Sequence, residues 1–187
     1  MVVNTFFETR RVALFDLAQR VDHAFRSIGL DYGVAGGLAV YLYVEAVDAD
    51  AGRLTKDIDV IMRRRDLPRL IEGIGVFGLH HETRDGREVL MQAGAPSARR
   101  VVHLLFTGER VRPRYPEAVP DLGEVRVMRG VRVIPLLHLV RMKLTSFRAK
   151  DEAHLKDLDE AGLITADIER ALSPVLRERL HQVRARE

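Results

Sequence analysis

Two carboxylates, Asp57 and Asp59, are separated by one apolar residue at the start of a run of strong β formers. In a strand their side chains point to the same face, with Cα atoms about 6.5–7 Å apart. Two acids at this spacing repel each other unless one takes up a proton or both bind a cation. A bound divalent cation would suit phosphoryl or nucleotidyl transfer. The alternative is a pair of solvent-facing acids on an edge strand.

A Gly-Gly step, Gly36-Gly37, lies between a short apolar run and a longer apolar run of helical length. Glycines let backbone N–H groups approach a phosphate closely, and a helix N-terminus favours negative charge. Such a step is also typical of a simple tight turn. Together with the Asp57/Asp59 pair, it indicates a site for a nucleotide.

The composition excludes several classes of function. The chain has no cysteine, which rules out disulfides, thiolate metal sites and cysteine nucleophiles. Its net charge is +3, from 30 Lys and Arg against 27 Asp and Glu, too small to indicate a dedicated nucleic-acid binder. No apolar run reaches the roughly 20 residues that span a bilayer, and no signal-peptide pattern is present. We therefore expect a cytoplasmic protein without a membrane partner.

The order of periodic segments predicts an α+β (mixed α/β) fold, a mixed sheet flanked by helices with a C-terminal helical segment. Predicted helices cover residues 4–28, 38–47, a segment opening at Asp66 as N-cap, and 135 onward with breaks near Gly162 and Pro174. Predicted strands cover residues 32–35, 58–62, 87–92, 100–106, 125–127 and 131–134. The expected division is an α/β core over residues 1–133 and a helical subdomain over residues 134–187.

Two segments, residues 34–40 (VAGGLAV) and 53–60 (RLTKDIDV), carry a resemblance to a known family. They resemble the minimal nucleotidyltransferases of the DNA polymerase β-like superfamily, and look closest to the branch containing AbiEii-type toxins. The resemblance implies a nucleotidyltransferase-type sheet and an NTP substrate. It further implies that Gly36 and Gly37 hold the triphosphate, that Asp57 and Asp59 bind Mg²⁺ or Mn²⁺, and that Thr55 lies beside the phosphates.

A second patch, residues 139–158, resembles the same branch through a helical lysine followed by an R-x-K-D run. The resemblance implies that Lys143 is a further catalytic candidate and that Arg148 and Lys150 are nucleotide-binding residues. On one continuous helix Lys143, Phe147 and Lys150 would share a face. The alternative is a solvated face held by ion pairs between successive turns.

The family pattern places a third carboxylate on a later strand, where this sequence has His103. Imidazole is a poor ligand for magnesium, which prefers oxygen. His103 can instead act as a neutral base toward an attacking hydroxyl, or it can be a core histidine. Glu88, on a neighbouring predicted strand, is an alternative source of the third acid. The gap between Gly37 and Asp57 is also longer than in compact members of the family.

Two charged or titratable runs have plainer interpretations. Arg63-Arg64-Arg65 follows the carboxylate strand and is interpreted as a solvated charge run, with an RNA or phosphate patch as the alternative. His80-His81 lies in a predicted extended segment, where the two rings point to opposite faces and cannot form one compact site.

Three functions follow from this pattern. The first is transfer of a nucleoside monophosphate from an NTP to a hydroxyl of tRNA, a protein or a small molecule. The second is an inactive nucleotide- or RNA-binding member of the same fold, acting with a protein partner as an interaction or toxin–antitoxin module. The third is a structural domain that has no ligand at Asp57 and Asp59.

Overall fold

The computed structural model of the protein describes residues 2–49, 51–94 and 101–186, with side chains from residue 9 onward. The helices are α1 (Val2–Ile28), α2 (Gly36–Glu45), α3 (Leu67–Gly73), α4 (Leu136–Ser146), α5 (Ala149–Glu160), α6 (Ala166–Arg170) and α7 (Pro174–Arg184). The strands are β1 (Tyr32–Ala35), β2 (Ile58–Met62), β3 (Leu79–Arg84), β4 (Arg87–Gln92), β5 (Val102–Phe106), β6 (Arg126–Met128) and β7 (Val131–Val133). Short 3₁₀ turns cover Arg64–Asp66 and Ile74–Phe77.

Within the described residues, the strands form one seven-stranded sheet in the order β3-β4-β5-β2-β1-β7-β6. The pairs β2–β5 and β1–β7 are parallel, whereas β1–β2, β3–β4, β4–β5 and β6–β7 are antiparallel. The sheet is therefore mixed, and helices lie against it. The α+β prediction is confirmed.

Helix α2 crosses the centre of the molecule and is buried on nearly every side. It packs against β1 and β2 and also contacts α4 and α5. Every residue from Gly36 to Val44 is buried, which matches the apolar sequence of this segment. Before it, α1 ends at Gly29, which has a φ of +74° that glycine adopts without steric cost.

The strand register fixes which residues share one face near the end of β1. Ala35 is paired with Asp59, and Asp59 is paired with His103 on β5. Directly paired residues of neighbouring strands point to the same face of a sheet. Asp59 and His103 are therefore neighbours on adjacent strands.

One helical prediction was wrong. The segment after Pro135 does not run as a continuous helix through Lys150, because Phe147 has φ 47° and ψ 46°, and Arg148 is extended. A left-handed residue followed by an extended one ends α4 and starts α5 in a new direction. Lys143 and Lys150 therefore lie on different helices.

Smaller differences concern element ends. Asp66 is not a side-chain cap, because it lies in a 3₁₀ turn and makes no capping hydrogen bond. Strand β3 contains the predicted extended segment His80-His81, for which the sequence predicts no bounds, and it pairs along its whole length with β4. Residue 100, predicted to open the β5 strand, lies outside the described residues.

The hydrophobic core is continuous across the predicted division at residues 133 and 134. Its buried cluster runs from Leu14 on α1 to Val183 on α7. The division into a core and a helical subdomain stays a prediction. Among the described residues, no helix is both long and apolar enough to cross a membrane.

Candidate active site

A cleft of about 620 Å³ opens where the ends of β1, β2 and β5 meet α2, α4 and α5. All nine residues predicted from the sequence to form a site line this one cleft: Gly36, Gly37, Thr55, Asp57, Asp59, His103, Lys143, Arg148 and Lys150. These residues come from segments that are far apart in the chain, and the sheet register and the packing of α4 and α5 bring them together.

The glycine step packs directly against the carboxylate strand. Gly36 has a φ of +66°, and a Cβ atom there would lie 1.8 Å from Oδ2 of Asp59. A Cβ atom on Gly37 would lie 2.9 Å from Oγ1 of Thr55. Only glycine fits both the backbone angle and the space at position 36. The first N–H groups of α2 have no side-chain cap, so they remain available to an anion.

Asp57 and Asp59 are the two carboxylates at this edge of the cleft that could together hold a cation. Asp57 directly precedes β2 and is exposed, and Asp59 is half-buried as the second residue of that strand. Among the described residues, none donates a hydrogen bond to either carboxylate. Their unengaged oxygens suit a hard divalent cation that completes its shell with water and phosphate oxygens. No group of three or more acidic, His or Cys ligands is found in the part of the chain that the structure describes.

Two cations of the second patch share one buried carboxylate. The Lys143 ammonium donates to Oδ1 of Asp151 at 3.1 Å, and Arg148 Nε donates to Oδ2 at 2.7 Å. Burial favours the neutral acid, but the Arg148 hydrogen bond and the Lys143 charge hold the pKa of Asp151 at about 2. Burial lowers the pKa of Lys143, and the negative charges of Asp151 and Asp59 oppose that effect. Lys143 and Arg148 therefore place positive charge in the part of the cleft near Asp59.

His103 faces the cleft from β5, at the position where the family pattern places an acid. It is half-buried, and its imidazole makes no hydrogen bond within the described residues. Val89 of β4 is its antiparallel partner, and the adjacent residue Glu88 also lines the cleft. Glu88 also accepts a hydrogen bond from Thr83 and contacts His81 Nε2 at 2.7 Å. Glu88 is therefore engaged by side chains of β3, and its role as a third acid stays a prediction.

His154 on α5 lies behind the glycine step. Its Cε1 atom is 3.4 Å from the position that a Cβ atom of Gly37 would occupy, and its buried Nδ1 has no partner within the described residues. Burial, followed by the nearby Lys143 charge, lowers the pKa of His154 to about 4. The imidazole is therefore neutral near pH 7 and presents a ring nitrogen that can accept a hydrogen bond.

A second pair ties the loop before Asp57 to α5. Arg53 Nε donates to Oδ1 of Asp157 at 3.0 Å, while Oδ2 of Asp157 is buried without a partner in the described part of the chain. Burial raises the pKa of Asp157. This contact fixes the long connection between Gly37 and Asp57, which the sequence left without a structural role.

The irregular segment of residues 107–122 forms the far wall of the cleft and was not predicted to contribute. It is closed by backbone hydrogen bonds from Gly108 to Val119 and from Val119 to Glu109. The segment has no helical or strand periodicity, so no local pattern reveals it. Asp151 was also missed as a site residue, although it stands in the R-x-K-D run.

The other charged runs are engaged in local pairs. Arg63 pairs with Asp31, and Arg64 makes two hydrogen bonds to Glu109 while its guanidinium lies 3.4 Å from the centre of the Phe106 ring. His80 contacts Glu82 at 2.7 Å. The contact of His80 agrees with a structural interpretation of the histidine pair. Arg64 also lines the cleft, so the phosphate-patch alternative for the arginine run stays a prediction.

No family model matches the sequence, and no curated protein matches it. Solved structures do match nearly the whole chain. An antigenic nucleotidyltransferase-like protein from Paracoccidioides brasiliensis is 17% identical, with 91% of this chain and 87% of that chain covered and a TM-score of 0.60. The antibiotic-resistance factor ANT(2'')-Ia in solution is 15% identical, with 94% and 95% covered and a TM-score of 0.55.

A crystal structure of ANT(2'')-Ia in complex with adenylyl-2''-tobramycin is 14% identical, with 93% of this chain and 98% of that chain covered and a TM-score of 0.55. This chain therefore has the nucleotidyltransferase fold. At these identities the likeness concerns the fold alone. The AbiEii-type branch stays a prediction.

Proposed function

We propose that the protein is a nucleotidyltransferase that moves a nucleoside monophosphate from an NTP to a hydroxyl acceptor. The observation that carries this proposal is the convergence of Asp57, Asp59 and the glycine step in one cleft with Lys143 and Arg148. The fold, shared with structures described as nucleotidyltransferases, supports it.

Each residue has a distinct role in the proposed reaction. The backbone of Gly36 and Gly37 and the Thr55 hydroxyl bind the phosphates, together with Lys143, Arg148 and Lys150. Asp57 and Asp59 would hold Mg²⁺ or Mn²⁺, which when bound neutralises charge on the phosphate oxygens. The acceptor oxygen bonds to the α-phosphorus, the bond to the β-phosphate oxygen breaks, and pyrophosphate leaves. The acceptor proton passes to His103 as a neutral base.

The test is transfer of label from each α-labelled NTP, with Mg²⁺, with Mn²⁺ or with EDTA, to RNA, to protein or to small hydroxyl compounds. We expect Asp57→Asn and Asp59→Asn to lower transfer at least about 100-fold, because each removes one charged oxygen ligand. Asp16→Asn is the matched control, since Asp16 is an exposed acid on α1 away from the cleft. Full transfer by both cleft variants would disprove the proposal.

A second candidate is nucleotide binding without turnover, and His103 at the third-acid position favours it. It predicts that ATP with Mg²⁺ gives a calorimetric binding signal while no metal supports product formation. His103→Asp separates the two candidates, because it restores the carboxylate beside Asp59. Turnover that appears only in this variant supports the second candidate. If the wild type turns over and His103→Ala lowers kcat about 100-fold with little change in KM, the first candidate and the base role are supported.

A further inference from the structure

The Asp151 carboxylate is the most completely engaged acid at the cleft. Its side chain is 0% exposed. Oδ1 accepts from the Lys143 ammonium at 3.1 Å, and Oδ2 accepts from Ser146 Oγ at 2.8 Å and from Arg148 Nε at 2.7 Å. Both oxygens are occupied by neighbours of the same chain, so a nucleotide or a cation would have to displace them to reach the acid.

The break between α4 and α5 creates this arrangement. Phe147 is left-handed, and the break there lets Lys143, in the last turn of α4, contact Asp151, in the first turn of α5. Asp151 also accepts a hydrogen bond from the backbone N–H of Arg148 at 3.3 Å, which closes a capping box at the start of α5. Asp151 thus contacts both the backbone at the start of α5 and the Lys143 side chain that lines the cleft.

Lys143 depends on this contact for its charge and direction. It is only 5% exposed, and burial of an unpaired ammonium is costly. The charges that act on it are those of Asp151 and Asp59, which favour the ammonium, and that of Lys150, which opposes it. Asp151 is the acid that contacts the ammonium directly, so it determines where Lys143 points.

We propose that Asp151 is a positioning residue, which holds the Lys143 ammonium and the Arg148 guanidinium beside Asp59 for the triphosphate and does not itself contact the nucleotide. This inference rests on the proposed function, because it assumes that the cleft binds an NTP. It assigns Asp151 an effect on nucleotide affinity that is transmitted through the two cations.

A double-mutant cycle between Asp151→Asn and Lys143→Gln tests the proposal, with the Kd for ATP and Mg²⁺ as the measured quantity. We expect each single variant to weaken ATP binding about tenfold. The double variant should be no more than about threefold weaker than the weaker-binding single variant, because Asp151 acts mainly through the lysine and the remaining factor reflects its contact with Arg148. An additive loss of about 100-fold, or wild-type affinity in Asp151→Asn, overturns the proposal.

Asp22→Asn controls for the loss of a buried carboxylate as such. Asp22 is 6% exposed on α1 and bonded to Tyr32, outside the cleft, so its replacement should lower stability and leave ATP affinity unchanged. If Asp151→Asn does not fold, Ser146→Ala removes one hydrogen bond to Oδ2 while keeping every charge. It should weaken ATP binding about threefold, and wild-type affinity in this variant counts against the proposal.

Measurements on the wild-type protein show whether a negative result concerns the role of Asp151 or the proposed function itself. If the wild type fails to bind ATP under any divalent cation, both are overturned together. If the wild type binds and transfers while the cycle is additive, only the role of Asp151 is overturned. Near-UV circular dichroism of each variant confirms that the compared proteins are folded.

Discussion

At Gly36 the backbone of α2 packs so closely against the carboxylate of Asp59 that no side chain fits between them. Its positive φ and the 1.8 Å separation between an added Cβ and Oδ2 are independent constraints. The positive φ constrains the backbone alone, whereas the short separation constrains the position of Asp59, a candidate metal ligand. Replacing the glycine therefore tests whether the placement of Asp59 matters for function.

Gly36→Ala should lower the free energy of unfolding by about 1–3 kcal/mol and lower transfer about 100-fold, because the methyl group displaces Asp59. Gly162→Ala is the matched control, since Gly162 has a φ of +69° and nothing within 4 Å of an added Cβ. It should lose stability through backbone strain alone. Chemical denaturation and labelled-NTP transfer measure the two effects, and equal activity in both variants would contradict the role given to Asp59.

The sequence predicts those residues of the site that stand in a short local motif. Asp57 and Asp59 stand out by their spacing, and Gly36-Gly37 by its position between two apolar runs. The sequence does not predict that Asp151 is the partner of Lys143, because their contact depends on the left-handed conformation of Phe147. A non-glycine residue in that conformation has no dependable local signature. Apolar periodicity therefore predicts a helix that continues through Phe147, where the structure has a break between α4 and α5.

At the scale of elements, α5 carries His154, a buried histidine whose shifted pKa couples the stability of the fold to pH. His154 has a pKa of about 4 in the folded protein, through burial and the Lys143 charge, against an ordinary value of 6.5. Between these two values the unfolded chain binds more protons than the folded chain. Stability conferred by neutral His154 is therefore complete above about pH 6.5 and falls as the pH approaches 4.

The free energy of unfolding should thus decrease by up to roughly 3 kcal/mol between pH 6.5 and pH 4 through this one group. His154→Gln should remove most of that decrease, because glutamine does not take up a proton. Urea denaturation at pH 7, 5.5 and 4.5 measures it. His80→Gln, at an exposed histidine on β3, should keep the wild-type slope. An unchanged slope in His154→Gln would show that another group is responsible.

At the scale of the whole molecule, the site depends on contacts between distant parts of the chain. Strand β1 pairs with β7, about 100 residues later, as well as with β2. The sequence predicts the bounds of six of the seven described strands and a mixed α/β order, since apolar periodicity is local. It does not predict the strand neighbours or the packing of α7 on α4, because these contacts follow from the three-dimensional arrangement of all the elements.

Arg179 of α7 supplies one such contact. Its Nη1 donates to the carbonyl oxygens of Leu144 and Thr145 at 2.7 and 2.9 Å, and its guanidinium lies 5.1 Å from the centre of the Phe147 ring. Arg179→Met should lower the free energy of unfolding by about 2–3 kcal/mol, because the last carbonyls of α4 lose a charged donor. Thermal and urea denaturation measure this loss.

Arg170→Met is the control for removing an arginine from the same region. Arg170 pairs with Asp167 at the surface, where both side chains are largely exposed, so its replacement should change stability by no more than about 0.5 kcal/mol. Equal stability of the two variants would show that the cap on α4 contributes little.

The position of Arg179 in the sequence also has a consequence for synthesis. The ribosome releases the sheet strands and the Asp57/Asp59 segment well before α7 emerges, at about 5–20 residues per second. Until Arg179 caps α4, the turn that joins Lys143 to Asp151 lacks its outer support. The nascent chain should therefore acquire nucleotide binding only after Arg179 has emerged. Arrested nascent chains in which Arg179 has emerged from the ribosome should cross-link to ATP, whereas chains arrested before it emerges should not. Equal labelling of both would refute this order.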